Sequence, residues 1–154
     1  HLGNSMASRL RESAQQRQTL ELIRAELAIG FGWEVDPIIS HQWSCGMAGR
    51  QPVLAISLDP SNILDSTQTI VYSVGTAPSA IWRGQVLMRC GPAYGLDGAI
   101  RPGGKAQNRV LIDGLPKEGL GFEARQDPQS KVLHLALEQA VNGGSGRLRS
   151  AAVF

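Results

Sequence analysis

Between Ser8 and Ile29 the chain contains neither proline nor glycine and is dominated by Arg, Glu, Gln, Leu and Ala. Local propensity therefore predicts one helix of about six turns, with Gly30 as its stop signal. Leu20, Ile23 and Leu27 recur at helical spacing, with Leu10 and Ala14 further back, while Arg11, Gln15, Gln18 and Glu26 mark a wetter side. The expectation is an amphipathic helix whose more apolar C-terminal half lies on a sheet. Its polar N-terminal half either projects from the body or continues a longer helix.

Beyond Gly32 the pattern changes to short β-branched and aliphatic runs separated by turn residues. Strands are predicted near Val53 to Leu58, Thr69 to Val74, Ile81 to Arg89, Arg109 to Asp113, Gly121 to Gln126 and Lys131 to Glu138. In the last, Leu133, Leu135 and Leu137 alternate with His134, Ala136 and Glu138, as expected of one buried and one wet face. Leu54, Ile56 and Leu58, then Ile70, Tyr72 and Val74, repeat the alternation and predict a one-sided sheet. The connections Gly75 to Ser79 and Asp127 to Ser130 are too short for parallel crossovers, so the order is antiparallel. Gly91 to Gln107 reads as an exposed, glycine-rich loop of the kind that is often functional or mobile. Asn142 to Gly146 reads as a flexible break, so 142–154 is expected to be a tail whose apolar end, Ala151 to Phe154, docks back on the sheet. Trp33 and Trp43 flank the helix-to-sheet junction and are expected to plug it.

A length of 154 residues fits one domain with a sizeable core, and 42% hydrophobic against 18% charged residues makes it globular. Abundant turn formers, 18 Gly and 8 Pro, favour short strands over further helices. The formal charge of +2 carries no signal for nucleic acid. His1 to Met6 reads as vector-derived, with natural sequence from near Ala7, which assigns 7–141 to the domain.

Candidate chemistry is sparse. Cys45 and Cys90 allow one disulfide outside a reducing compartment, two buried thiols, or a metal or catalytic role. His41 and Cys45 have a ligand-like spacing, but with Cys90 and His134 as the remaining soft candidates a zinc site is not expected. Ala99 to Ala106 sits in the frame of a phosphate-binding loop yet has Ala99 in place of the first glycine and Ala106 in place of the hydroxyl. Its Arg101 and Lys105 are read as solubilising a loop that contacts partners. No base and nucleophile occur at a recognisable spacing, so neither catalytic residues nor a cofactor is predicted. Trp33, Trp43 and Trp82 are read as packing residues before ligand platforms, and Arg147 and Arg149 with Arg101 and Lys105 as a basic patch without the aromatics of a single-strand binder.

Two stretches carry a family resemblance. Arg9 to Glu12 and Gln16 to Leu27 resemble the segment of minor pilins and pseudopilins just after their membrane helix. Ile70-Val71-Tyr72-Ser73-Val74 followed by Val86-Leu87-Met88-Arg89-Cys90 resembles the family's paired strands. About 30 residues carry recognisable pattern, and the family's apolar N-terminal segment with its processing motif is not in this sequence. The resemblance implies a pilin-like α+β head, a long helix packed through Leu20, Ile23, Leu27 and Trp33 on an antiparallel sheet of about four to six strands. It further implies a non-enzymatic subunit of a type IV pilus or pilus-like secretion system, extracytoplasmic and anchored in the inner membrane before assembly, with other pilins or pseudopilins as partners. An adhesive or carbohydrate-binding module using the 91–107 loop is the alternative, and a hydrolase with a site not visible in the sequence the third reading.

Overall fold

The chain opens with a 28-residue helix, α1 (Leu2–Ile29), and among the described residues every later regular element is a strand. The computed structural model describes residues 2–101, 103–118, 121–140 and 146–154. The strands are β1 (Gly32–Val35), β2 (Arg50–Ser57), β3 (Thr69–Gly75), β4 (Gln85–Pro92), β5 (Ala106–Leu115), β6 (Phe122–Gln126), β7 (Leu133–Ala140) and β8 (Arg147–Val153). They form two antiparallel sheets in simple sequential order, β1-β2-β3-β4-β5 and β6-β7-β8. The fold is therefore α+β, one N-terminal helix on antiparallel β structure.

At the end of α1 the Gly30 N–H donates to the Glu26 carbonyl at 3.0 Å, and the next residue already joins the sheet, Phe31 N–H to the Ser57 carbonyl at 2.9 Å. Gly30 is needed here for space: a Cβ would stand 2.4 Å from Cγ2 of Ile56. That close approach brings the end of the helix against Ile56 of β2.

One core holds the three layers together. Leu20 and Ile23 of α1 meet Leu54, Ile56, Ile70, Tyr72, Val74, Leu87 and Ile112 of the larger sheet and Phe122, Leu133, Leu135 and Leu137 of the smaller one. Leu27 and Trp33 pack at its margin, partly buried. Each fully buried aliphatic side chain of this kind contributes about 1.5–3 kcal/mol relative to exposure.

The larger sheet departs from the one-sided expectation. Every residue of β3 is buried, so both its faces are covered. On the face away from α1, Val71 and Cys90 pack with Trp43 and Met47 from the segment between β1 and β2. Trp43 therefore does not plug the helix-to-sheet junction; its indole N–H donates to the Leu64 carbonyl at 2.8 Å on the opposite side of the sheet. A Cys45–Cys90 disulfide, Cα atoms 6.1 Å apart, fastens this covering segment to β4.

Other expectations change with the same geometry. The smaller sheet is separate, so the strands form two layers of hydrogen bonding instead of one. Ile81 and Trp82 lie in an exposed turn and β4 starts only at Gln85. Four-residue β1 had no sequence signal of useful length. Residues 147–153 are not a flexible tail but strand β8, paired along its length with β7, and Phe154 exchanges both backbone bonds with Leu133 at 2.9 Å. Residues 142–145 of the expected flexible break lie outside the described residues. Leu10 is 71% exposed and does not pack, whereas Glu26, assigned to the wet side, is fully buried.

The disulfide closes a loop with a sequence separation of 45. Replacing Cys45 and Cys90 by serine should lower unfolding free energy by about 2–4 kcal/mol. Urea denaturation of the variant against the oxidised parent checks this; an unchanged midpoint and slope would show that the cover does not depend on the bond.

Candidate functional site

The inward stripe of α1 is more polar than apolar. Its buried residues are Ser8, Glu12, Gln16, Thr19, Leu20, Ile23 and Glu26. Burying such groups is tolerated when each finds a partner; Ser8 and Thr19 find theirs within the helix, whereas Glu12, Gln16 and Glu26 are met by distant parts of the chain. Glu12 pairs with Arg83, which precedes β4, at 3.4 Å. Gln16 donates to the Gln139 side chain at 3.0 Å and to the Leu148 carbonyl at 3.1 Å, and accepts from the Ser150 hydroxyl at 2.5 Å. Helix, β7 and β8 thus meet at one amide.

Glu26 is the most heavily used member. Its carboxylate and the Arg89 guanidinium of β4 are 0% and 1% exposed, with Nη2 to Oε2 at 2.6 Å and Nε at 2.9 Å from both oxygens. The Tyr72 hydroxyl of β3 donates to Oε1, and the Tyr94 hydroxyl, just past β4, donates to Oε2 at 2.7 Å. The Arg89 guanidinium also lies 5.5 Å from the Tyr94 ring centroid, a cation–π distance. Tyr72 and Arg89 are cross-strand neighbours on β3 and β4, so sheet register alone sets two of the three donors side by side.

Burial, then the charge of Glu26 and the hydrogen bond to it, push the Tyr72 phenol well above its ordinary range. Burial and the same carboxylate raise Tyr94. Burial works to lower Arg89, but the hydrogen bonds and charge of Glu26 outweigh it and the guanidinium is held above its ordinary value. Each shift keeps the group in the protonation state that donates to Glu26. A general base needs an oxygen open to substrate, whereas both oxygens of Glu26 are already taken. The cluster acts as a clamp, joining α1 to β3, β4 and the loop after β4.

Tyr94 links the clamp to the surface. Of the expected 91–107 loop, Gly91 and Pro92 belong to β4 and Ala106 and Gln107 to β5; between those strands Tyr94 forms a bridge with Ile100, which packs against the main core. The segment expected to be a functional or mobile loop is therefore anchored through Tyr94 and Ile100. Beside it lies an apolar hollow of about 430 Å³, lined by Ala25, Ile29, Phe31, Leu58, Tyr94 and Ile100.

The residues singled out by sequence fall in separate places. Cys45 and Cys90 are bonded on the sheet face away from α1. Leu20, Ile23, Leu27 and Trp33 share the main core. Arg101 and Lys105 are exposed on the loop, and His41 is exposed with no histidine, cysteine or carboxylate cluster of metal-binding size among the described residues. His134 is half-buried, Arg147 pairs with Glu138 at 3.3 Å, and Arg149 is exposed. Sequence reading missed Glu26, Tyr72 and Tyr94 as a group; the Tyr72 and Arg89 motif of the paired strands was the one available signal. No family model, curated protein or solved structure matches this chain.

Glu26→Gln leaves Arg89 buried without its counter-charge, and stability should fall by about 3–5 kcal/mol in urea denaturation. A loss below about 1 kcal/mol would mean the pair is not desolvated as described. The phenols give a pH test. Folded-state values lie above those of the unfolded chain, so the folded state retains protons that the unfolded chain releases. Their contribution is complete below about pH 10 and is lost as pH rises toward the folded-state values. The unfolding midpoint should therefore drop on going from about pH 9 to pH 11, with a shallower slope in Tyr94→Phe; equal slopes would contradict the assignment.

Proposed function

We propose that the chain is the head of a helix-anchored assembly subunit, a minor pilin or pseudopilin of a type IV pilus or pilus-like secretion system. The observation that carries the reading is the clamp. Glu26 is bonded to Arg89, Tyr72 and Tyr94, so α1 is locked to the larger sheet. A subunit packed in a fibre through its helix needs this coupling, because a head that swivelled on its helix would lose register with its neighbours. The outer side of α1 supports the same reading: Leu10 is 71% exposed, although apolar. In an assembly the facing helices of neighbours would cover it. The paired-strand resemblance over Ile70 to Val74 and Val86 to Cys90 falls on the strands that supply Tyr72 and Arg89.

In cells that make the protein, it should fractionate with the inner membrane and with surface fibres released by shearing. Leu10→Glu should lower its share in the fibre fraction several-fold while leaving the unfolding midpoint of the isolated head within about 0.5 kcal/mol of the parent. Recovery of the native protein in neither fraction, or a reading frame that begins at Met6, would overturn the proposal.

A further inference from the structure

The sheet face turned away from α1 carries a second buried arginine, and this one has no counter-ion among the described residues. Arg50 opens β2 and is 6% exposed. Its Nε–H donates to the Ser73 hydroxyl at 3.2 Å and Nη2 to the Gly46 carbonyl at 3.1 Å. A guanidinium has five N–H donors, so three are left without a protein acceptor among the described residues. The ion pairs among those residues join Glu12 to Arg83, Glu26 to Arg89 and Glu138 to Arg147, and none includes Arg50. The contrast with Arg89 is direct: both residues are nearly fully buried, but Arg89 meets a carboxylate, whereas Arg50 meets two neutral oxygens and keeps donors to spare.

A cation withdrawn from water without an anion is costly, and burial holds Arg50 below its ordinary value. The backbone nevertheless fixes it in place. Ala48, two residues before it, has a left-handed φ of 43°, a conformation that costs a non-glycine residue of order 1 kcal/mol. At Gly75 a Cβ would lie 2.7 Å from the Gly49 carbonyl oxygen and 2.9 Å from Arg50 Cα, so β3 passes tightly beneath the turn. Arg50 stands at one end of an open groove of about 760 Å³ that runs across the strands. Met88 and Val110, cross-strand neighbours on β4 and β5, lie along it, with Asn108 beyond and Trp82 from the β3–β4 turn at its side.

We propose that this groove receives an acidic side chain on a segment of another polypeptide, its carboxylate paired with Arg50 and its apolar neighbours lying over Met88 and Val110 against Trp82. Charge complementarity selects the occupant: the one buried charge lining the groove, Arg50, has free donors of the geometry that a carboxylate accepts in pairs. Shape selects the polypeptide. The groove is open along its side, whereas sites for small molecules enclose most of the ligand. A cation at one end, an apolar strip and an indole at 36% exposure match the anchors that dominate protein interfaces. Nothing in this site depends on the fibre reading, so the two can fail separately.

The test is an NMR titration of the intact isotope-labelled chain with three probes. These are the blocked peptide acetyl-Leu-Glu-Leu-amide, its glutamine counterpart, and succinate. The glutamate peptide should produce saturable shifts at the Arg50 Nε–H, the Trp82 indole N–H and the Asn108 amide, with a dissociation constant of about 1 mM. The glutamine peptide should bind at least about tenfold more weakly. Trp82→Ala, a surface change expected to leave the spectrum otherwise intact, should weaken the glutamate peptide by a similar factor, and Arg50→Gln should abolish its preference over glutamine. Equal response to both peptides would remove the carboxylate from the account. Succinate binding as tightly as the glutamate peptide would make this a small-anion site, and absence of saturable shifts in the parent chain would leave no site at all. Each of these results overturns the proposal.

Discussion

A carboxylate that stays charged in a protein interior must be met by hydrogen bonds and a counter-charge, because otherwise it takes up a proton or costs the fold several kcal/mol. Glu26 is met by a guanidinium and two phenols, and the rest of the molecule is organised around supplying them. Tyr72 comes from β3, the middle strand of the larger sheet, Arg89 from β4 beside it and Tyr94 from the segment that follows β4. The helix consequently has one seat. An apolar stripe of Leu20 and Ile23 alone would allow it to slide or rotate by a turn at small cost, because hydrophobic contact is non-directional. A bidentate ion pair does not permit that.

Polar specificity extends along the helix. Glu12, Gln16 and Glu26 lie on the same face and contact three different parts of the chain: the turn before β4, the β7–β8 pair, and the centre of the larger sheet. Gln139 belongs to this arrangement as well, accepting from Gln16 and donating to the Asp113 carbonyl at 2.8 Å, so the smaller sheet is tied to β5 through the same buried amide. Two sheets and a helix are in this way fixed relative to one another by directed bonds, with aliphatic burial supplying most of the favourable free energy around them. A rigid helix-and-head unit is what the proposed assembly role requires.

What could be read from the sequence follows from how local each signal is. The helix was visible because propensity acts residue by residue, and β7 because Leu133, Leu135 and Leu137 alternate without interruption. The antiparallel order followed from short connections. Strand β8 was hidden because Arg147 to Val153 alternates weakly and follows a glycine-rich break; its pairing with β7 supplies the stability that its own residues lack. The two-sided burial of β3 was hidden because the cover comes from the Trp43 and Met47 segment, whose position is set by a disulfide and not by any periodicity. Glu26 was assigned to solvent on the sound general ground that glutamate is seldom buried. Its partner lies 63 residues away, and no window of helical length contains the information that would reverse that assignment. Arg50 was invisible for the same reason: what distinguishes it is the carboxylate that is not beside it among the described residues.

The claim that the Glu26–Arg89 pair sets the seat of the helix is tested most directly by a double-mutant cycle. Glu26→Gln, Arg89→Met and the double variant are compared with the parent by equilibrium denaturation. The account predicts a coupling energy of at least about 2 kcal/mol, the double variant being far less destabilised than the sum of the two single changes, since neither charge is then left alone in the core. Additive effects, to within about 0.5 kcal/mol, would contradict it.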